Sequence, residues 1–146
     1  MAARPVNAPP TVKILALMEA ASLSGRAKNL VAFGRWLRSL EGARTGLSVA
    51  IATFDRNART HERDSFVGGA RAAGVETHII RERHRFDLAM LSQLRQITSD
   101  VNPDIIETHN NKSHLLLRLL PESRARRVAK AIQAMLEYAE KRARQG

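Results

Sequence analysis

NPDIIETHNNKSH, residues 102–114, is a short apolar strand running directly into a polar loop, and its reading decides the fold. Pro103 and Asp104 open it, Ile105 and Ile106 form a buried centre, and residues 108–112 follow with hydrogen-bonding side chains. In a parallel α/β sheet, ligands sit just beyond the carboxyl ends of the strands, so a site is expected at this loop. Thr108, His109, Asn110, Asn111, Lys112 and Ser113 together suit a polyhydroxylated or anionic ligand. The competing reading is an ordinary strand-to-helix turn whose Asn and Ser side chains cap the next helix.

Working outward, residues 13–18 (KILALM) form a continuous apolar run, the pattern of a strand buried on both faces. Residues 47–54 (LSVAIATF) and 75–80 (VETHII) read as the second and third strands. A helix is expected from about Arg26, with Leu30, Phe33, Leu37 and Leu40 as its apolar stripe, ended by Gly42 and Gly46. A polar stretch, 55–64, leads to a short helix closing at Gly74. Asp87 stands where an N-cap belongs, before a helix that buries Leu88, Leu91, Leu94, Ile97 and Val101. Ser113 to Leu120 begins the fourth helix.

Four strand–helix alternations predict an α/β, Rossmann-like three-layer sandwich: a four-stranded parallel sheet with helices on both faces. The usual order for such a half-domain is 3-2-1-4, which sets strands one and four side by side. In that order the turns 22–26 and 109–113 meet at one crevice, and the basic loop 81–85 lies on the same rim further away. Pro121 breaks the alternation. Residues 124–144 read as one long helix with Val128, Ile132, Met135 and Ala139 along one side. The expected organisation is a disordered lead-in, 1–11, a Rossmann-like domain, 12–120, and a basic amphipathic helix, 121–146.

A chain of 146 residues, 44% hydrophobic, has room for one domain with a core. It has no cysteine, which excludes disulfides, thiolate metal sites and cysteine nucleophiles. The apolar run near the start is interrupted by Glu19 and preceded by Pro9 and Pro10, too short for a bilayer span and unlike a signal peptide. A cytoplasmic protein is expected, with the basic helix as a candidate for peripheral contact with an anionic membrane surface. The net charge is +10, and half of it falls in residues 123–146. Such a basic face attracts phosphates on nucleotide, lipid or nucleic acid. Aromatic residues make up only 4% of the chain, so nucleic acid, which is commonly held by stacking, is not the expected partner.

Ser24, Gly25 and Arg26 open the first helix directly after the first strand, where glycine permits close backbone approach and helix amides favour an anion. The dinucleotide fingerprint G-x-G-x-x-G is absent, and Ser24 is equally readable as a plain N-cap. His109, at a strand end in the crevice, is a candidate polar or proton-handling contact, though no Asp or Glu nearby in sequence completes a recognisable dyad. Lys112 is a candidate for a phosphate or for plain solvation. Arg81, Arg83, His84 and Arg85 form an anion-friendly cluster or a solvated loop. His61, His78 and His114 lack metal-ligand spacing, so neither a metal nor a cofactor is expected.

PDIIETHNNKSHLLLR (103–118), preceded by ERHRFDLAMLSQLRQI (82–97), resembles the N-terminal domain of family-4-like glycosyltransferases of the GT-B fold. KILALMEAASLSGRAKNLVAF (13–33) is similar to that family's first strand, glycine-bearing loop and first helix. The likeness covers about residues 12–120 and is spread over four elements rather than held in one signature. It implies hexosyl transfer from a nucleotide sugar to a sugar or lipid-linked acceptor, with this domain holding the acceptor. By resemblance, Ser24, Gly25 and Arg26 match the first loop, where the family has paired glycines and this chain has one. His109, Asn110, Lys112 and Ser113 match the loop facing the cleft. The later strands of the family's N-terminal domain and its donor domain with paired glutamates have no counterpart here, while residues 124–144 resemble the family's closing helix.

The resemblance therefore implies a half-enzyme, inactive alone, completed by a homodimer or a complementing domain. The alternative is a non-catalytic basic Rossmann-like module that binds phosphate-bearing ligands. A further alternative is a minimal folding unit that self-associates through an uncovered sheet edge.

Overall fold

The computed structural model describes residues 11–20, 22–23, 25–55, 65–84, 87–120 and 144. Nearly all of the expected lead-in, the polar stretch 56–64, and the expected C-terminal helix apart from Arg144 lie outside the described residues. Strands β1 (Val12–Leu17), β2 (Leu47–Asp55), β3 (Glu76–Arg81) and β4 (Ile105–Thr108) alternate with helices α1 (Gly25–Leu37), α2 (Leu40–Ala43), α3 (Phe66–Ala72), α4 (Ala89–Val101) and α5 (Asn111–Leu119). The four strands form one sheet in the order β3-β2-β1-β4, all pairs parallel, as the alternation predicts.

The sheet divides two cores. Leu15, Leu17, Ala52 and Ile106 face α4 and α5, whose Met90, Leu94, Ile97 and Leu116 cover them. Ala16, Met18 and Ile51 point the other way, toward Ala27, Leu30 and Val31 of α1 and Phe66 and Ala70 of α3. Alternation of side chains across a pleated strand thus explains why ILALM, residues 14–18, has no polar interruption: both faces are covered. Each fully buried leucine or isoleucine here contributes about 1.5–3 kcal/mol.

Two helix stripes differ from expectation. α1 buries Ala27, Leu30, Val31, Gly34 and Leu37, whereas Phe33 is 37% exposed and Leu40, beyond the helix end, is 89% exposed. Gly34 explains the rotation. A Cβ built there would lie 2.6 Å from Val75 Cγ2, so the helix turns its glycine, not its phenylalanine, to the sheet. In α4, Met90 takes the buried place expected of Leu88, which is 79% exposed just before the first turn.

The helix ends are chemically determined. Asn110 caps α5 and Ser65 caps α3, each accepting a backbone N–H three residues on, at 2.9 and 3.0 Å. Asp87, one residue ahead of the cap position of α4, accepts from Ala89 N, two residues on, at 2.9 Å. Gly74, at φ +73°, follows the C-cap of α3 in the left-handed region that glycine adopts most easily.

β4 is fastened to β1 at both ends. Asp104 Oδ2 accepts from Lys13 N at 2.9 Å and Asp104 N donates to Lys13 O at 2.8 Å. At the other end, His109 N donates to Leu17 O at 3.1 Å. The loops leaving β1 and β4 therefore emerge side by side at the carboxyl rim, the switch point of the sheet.

Candidate functional site

The rim holds two cavities on either side of the α5 N-terminus, and they divide the residues singled out by sequence. Asn110 and Ser113 belong to the helix start. Asn110 Oδ1 accepts from both Ser113 N and Ser113 Oγ, and Ser113 is fully buried. Their polar atoms are thereby engaged in capping, the alternative weighed for this loop. Gly25 begins α1 at φ +50° with open space around its Cα. Ser24 lies outside the described residues.

The first cavity, about 480 Å³, is a trough between α4 and α5. Leu88, Met90, Leu91, Leu115, Leu116 and Leu119 make it apolar, and Glu19, Glu82, Asp87 and Lys112 form its charged lip. Lys112 Nζ donates to Glu82 Oε2 and, at 3.3 Å, to Glu19 Oε1, and sits 4.5 Å from the centre of the Phe54 ring. The side chain of Glu82 is 1% exposed. One ammonium thus ties together the ends of β1, β2 and β3 and the first turn of α5. A buried carboxylate demands such a partner, because its desolvation is otherwise uncompensated. Lys112, a candidate for a ligand phosphate, is here an internal counter-ion.

The same contact adds a link across the expected layout of the rim. Glu82 N donates to Asp55 O at 3.0 Å, extending the β3 ladder at the sheet edge, while the Glu82 side chain reaches Lys112 at the crevice; Arg85 lies outside the described residues. Asp87 is held by two backbone donors, Ala89 N at 2.9 Å and Arg83 N at 3.2 Å. Those bonds, Ala89 first, keep its carboxyl below the ordinary aspartate value.

The second cavity, about 580 Å³, lies at the corner made by the end strand β4. Arg26, Asn29, Leu30 and Phe33 of α1 form one wall, and Glu107, Thr108, His109 and His114 form the other. The spacing i, i+3, i+4, i+7 puts the four α1 residues on one helical face. His109 Nε2 stands 3.3 Å from Glu107 Oε1 without hydrogen-bond geometry, and the ring is largely buried. Glu107, two residues upstream, is thus the carboxylate beside this ring, though the two are not hydrogen-bonded. Thr108 Oγ1 shares a hydrogen bond with His114 Nδ1.

Chemically the two cavities differ. In the trough, the cation is already matched by carboxylates. At the β4 corner, a guanidinium, an amide and two imidazoles line the cavity with one carboxylate beside them, although His109 Nε2 is itself buried and His114 Nδ1 is paired with Thr108. Donors of this kind hold hydroxyls or an anion. Sequence reasoning named Arg26 and His109 but missed Asn29, Phe33, Glu107 and His114. A helical-face count from Arg26 finds Asn29 and Phe33, and period-two alternation from His109 finds Glu107. His114 has no such signal. Among the described residues, no cluster of three or more acidic or imidazole groups could hold a metal, and no helix is long and apolar enough to cross a membrane.

Compared with protein-family models, curated proteins and solved structures, the chain matches none of them.

Proposed function

We propose that the chain binds a polyhydroxylated or anionic ligand at the β4 corner, as the acceptor-side half of a sugar-transfer enzyme that does not turn over alone. The observation that supports it is the pairing of β1 with β4, which puts Arg26 and His109, far apart in sequence, on one cavity. Arg26 and Asn29 supply donors to an anion or hydroxyl, His109 supplies a nitrogen at the strand end, and Glu107 accepts from a hydroxyl. Lys112 contributes indirectly, by fixing the loops of the rim around a buried carboxylate.

Sugar transfer needs the leaving diphosphate stabilised by positioned cations and amides, with acceptor and donor in near-attack geometry. A single wall of a cleft holds one of the two reactants. Negligible transferase activity is therefore expected of the chain by itself, and binding is the property to measure. Calorimetric titration with hexoses, nucleotide sugars and phosphate should give saturable heat that Arg26→Ala and His109→Ala each weaken by about tenfold or more. Equal affinity in wild type and both variants would remove the cavity from consideration. Radiolabelled sugar transfer well above blank would overturn the half-enzyme reading.

The net charge of +10 favours one rival, a basic module that holds polyanions without catalysis. Its readout is different: binding to duplex DNA or anionic vesicles that falls steeply with salt and ignores the β4-corner variants.

A further inference from the structure

The proposed ligand site contains a feature that neither hydroxyl nor anion recognition uses. Phe33 lines the β4-corner cavity and is 37% exposed, although it is one of only four phenylalanines in the chain. Behind it stands Trp36, the single tryptophan, 44% exposed, its ring stacked on Phe33 with centroids 6.4 Å apart and planes inclined by 22°. The inward turn of Gly34 holds both rings out of the core, since α1 presents its smallest residue to Val75. Two stacked aromatics left at the wall of a polar cavity offer a flat apolar surface to a ring.

The guanidinium of Arg26 lies at the opposite end of the same helical face. Arg26 is seven residues before Phe33, which along a helix is about 10 Å. Asn29 and Leu30 lie between them, and His109 and His114 face them from the end of β4 and from α5. An anion-binding end, a polar middle and an aromatic end are thus arranged in line.

Resting on the reading that this cavity is a ligand site, we propose that its ligand is a ring-bearing phosphate ester, with the phosphate among Arg26, His109 and His114 and the ring stacked on Phe33. The ring is either the base of a nucleoside monophosphate or the pyranose of a hexose phosphate. Both present a face that an aromatic side chain covers, and both place it a few bonds from the phosphate.

Trp36 is a built-in reporter, because no other tryptophan contributes to emission. The full-length chain is titrated by calorimetry, with Trp36 fluorescence followed in parallel, using AMP, UMP, glucose 6-phosphate, glucose and inorganic phosphate. The phosphate esters should bind at least about tenfold tighter than inorganic phosphate or glucose, and change Trp36 emission. Phe33→Ala should weaken the esters by about tenfold and leave inorganic phosphate within about twofold, whereas Arg26→Ala should weaken both. Phe33 is partly exposed, so its variant is expected to fold, which matched circular dichroism and melting would verify. Tighter binding of the nucleotides identifies a base as the ring, and tighter binding of glucose 6-phosphate identifies a pyranose.

If inorganic phosphate binds as tightly as the esters and Phe33→Ala changes nothing, the ring contact is refuted while anion binding stands. If glucose binds and no phosphate compound binds more tightly, the ester is refuted while the site stands. If none of the five compounds produces heat or a fluorescence change, the site and this inference are refuted together.

Discussion

The trough beside Lys112 and the cavity at the β4 corner flank the same helix start, yet they use charge in opposite ways. In the trough, Glu82 is buried and Lys112 neutralises it, so the electrostatic interaction is internal and stabilises the fold. At the corner, Arg26, His109 and His114 border a cavity, and among the described residues no carboxylate pairs with the Arg26 guanidinium. The lesson is that a lysine at the rim of a parallel sheet is not by itself a ligand residue. What decides is whether a buried carboxylate already holds it.

The largest expected effect comes from breaking the internal pair. Lys112→Ala removes the ammonium that pairs with the buried Glu82 carboxylate and should cost about 3–5 kcal/mol, read as a drop in the urea midpoint. The double variant Lys112→Met with Glu82→Leu removes both charges and should recover most of that loss. If Lys112→Ala shifts stability by less than about 0.5 kcal/mol, the pair is no more than a surface ion pair and the contrast between the cavities collapses.

A somewhat smaller effect tests the rotation of α1, on which the corner cavity depends. Leu30→Ala should cost about 2–5 kcal/mol because Leu30 is buried against the sheet. Phe33→Ala should cost under about 1 kcal/mol, because its ring is partly in solvent. The reverse order in thermal melting would mean that Phe33, not Gly34, faces the core.

The smallest effect sharpens the account of the trough's lip. Backbone N–H groups of Ala89 and Arg83 hold Asp87 below its ordinary value of 3.8 in the folded state. A depressed folded pKa means that the charged carboxylate contributes stability in full above about 3.8, and that the contribution is lost as pH falls through the folded value. Asp87→Asn should therefore be less stable than wild type at neutral pH, and the two should converge in acid. A difference that stays constant from pH 7 to strongly acidic pH would show that the charge of Asp87 plays no part.

Much of the architecture was legible. Strand positions were readable because runs of four to nine residues rich in Ile, Val, Leu and Ala, separated by helical or polar stretches, have few other uses in a chain of this size. The β1–β4 pairing was expected only because 3-2-1-4 is the usual order for such a half-domain, and the structure adopts it. Helix faces were less legible: counting large apolar residues favoured Phe33 and Leu88, whereas backbone proximity favoured Gly34 and Met90. Hydrophobic counting gives a glycine no weight, and only its neighbour Val75 shows why it is inside. The site was half legible. Arg26 and His109 could be found from their places after strands, but Glu82 lies on a different loop from Lys112, and nothing in either segment announces the other.

The amino-acid order thus determined what is local: which segments extend or coil, and that both sheet faces are covered. Tertiary structure decided which charges meet. A hydrogen bond or ion pair depends on separations of a few ångströms between groups that are distant along the chain. The lysine that sequence offered to a ligand was held by Glu82 and Glu19, and the phenylalanine assigned to the core was left facing the β4 corner.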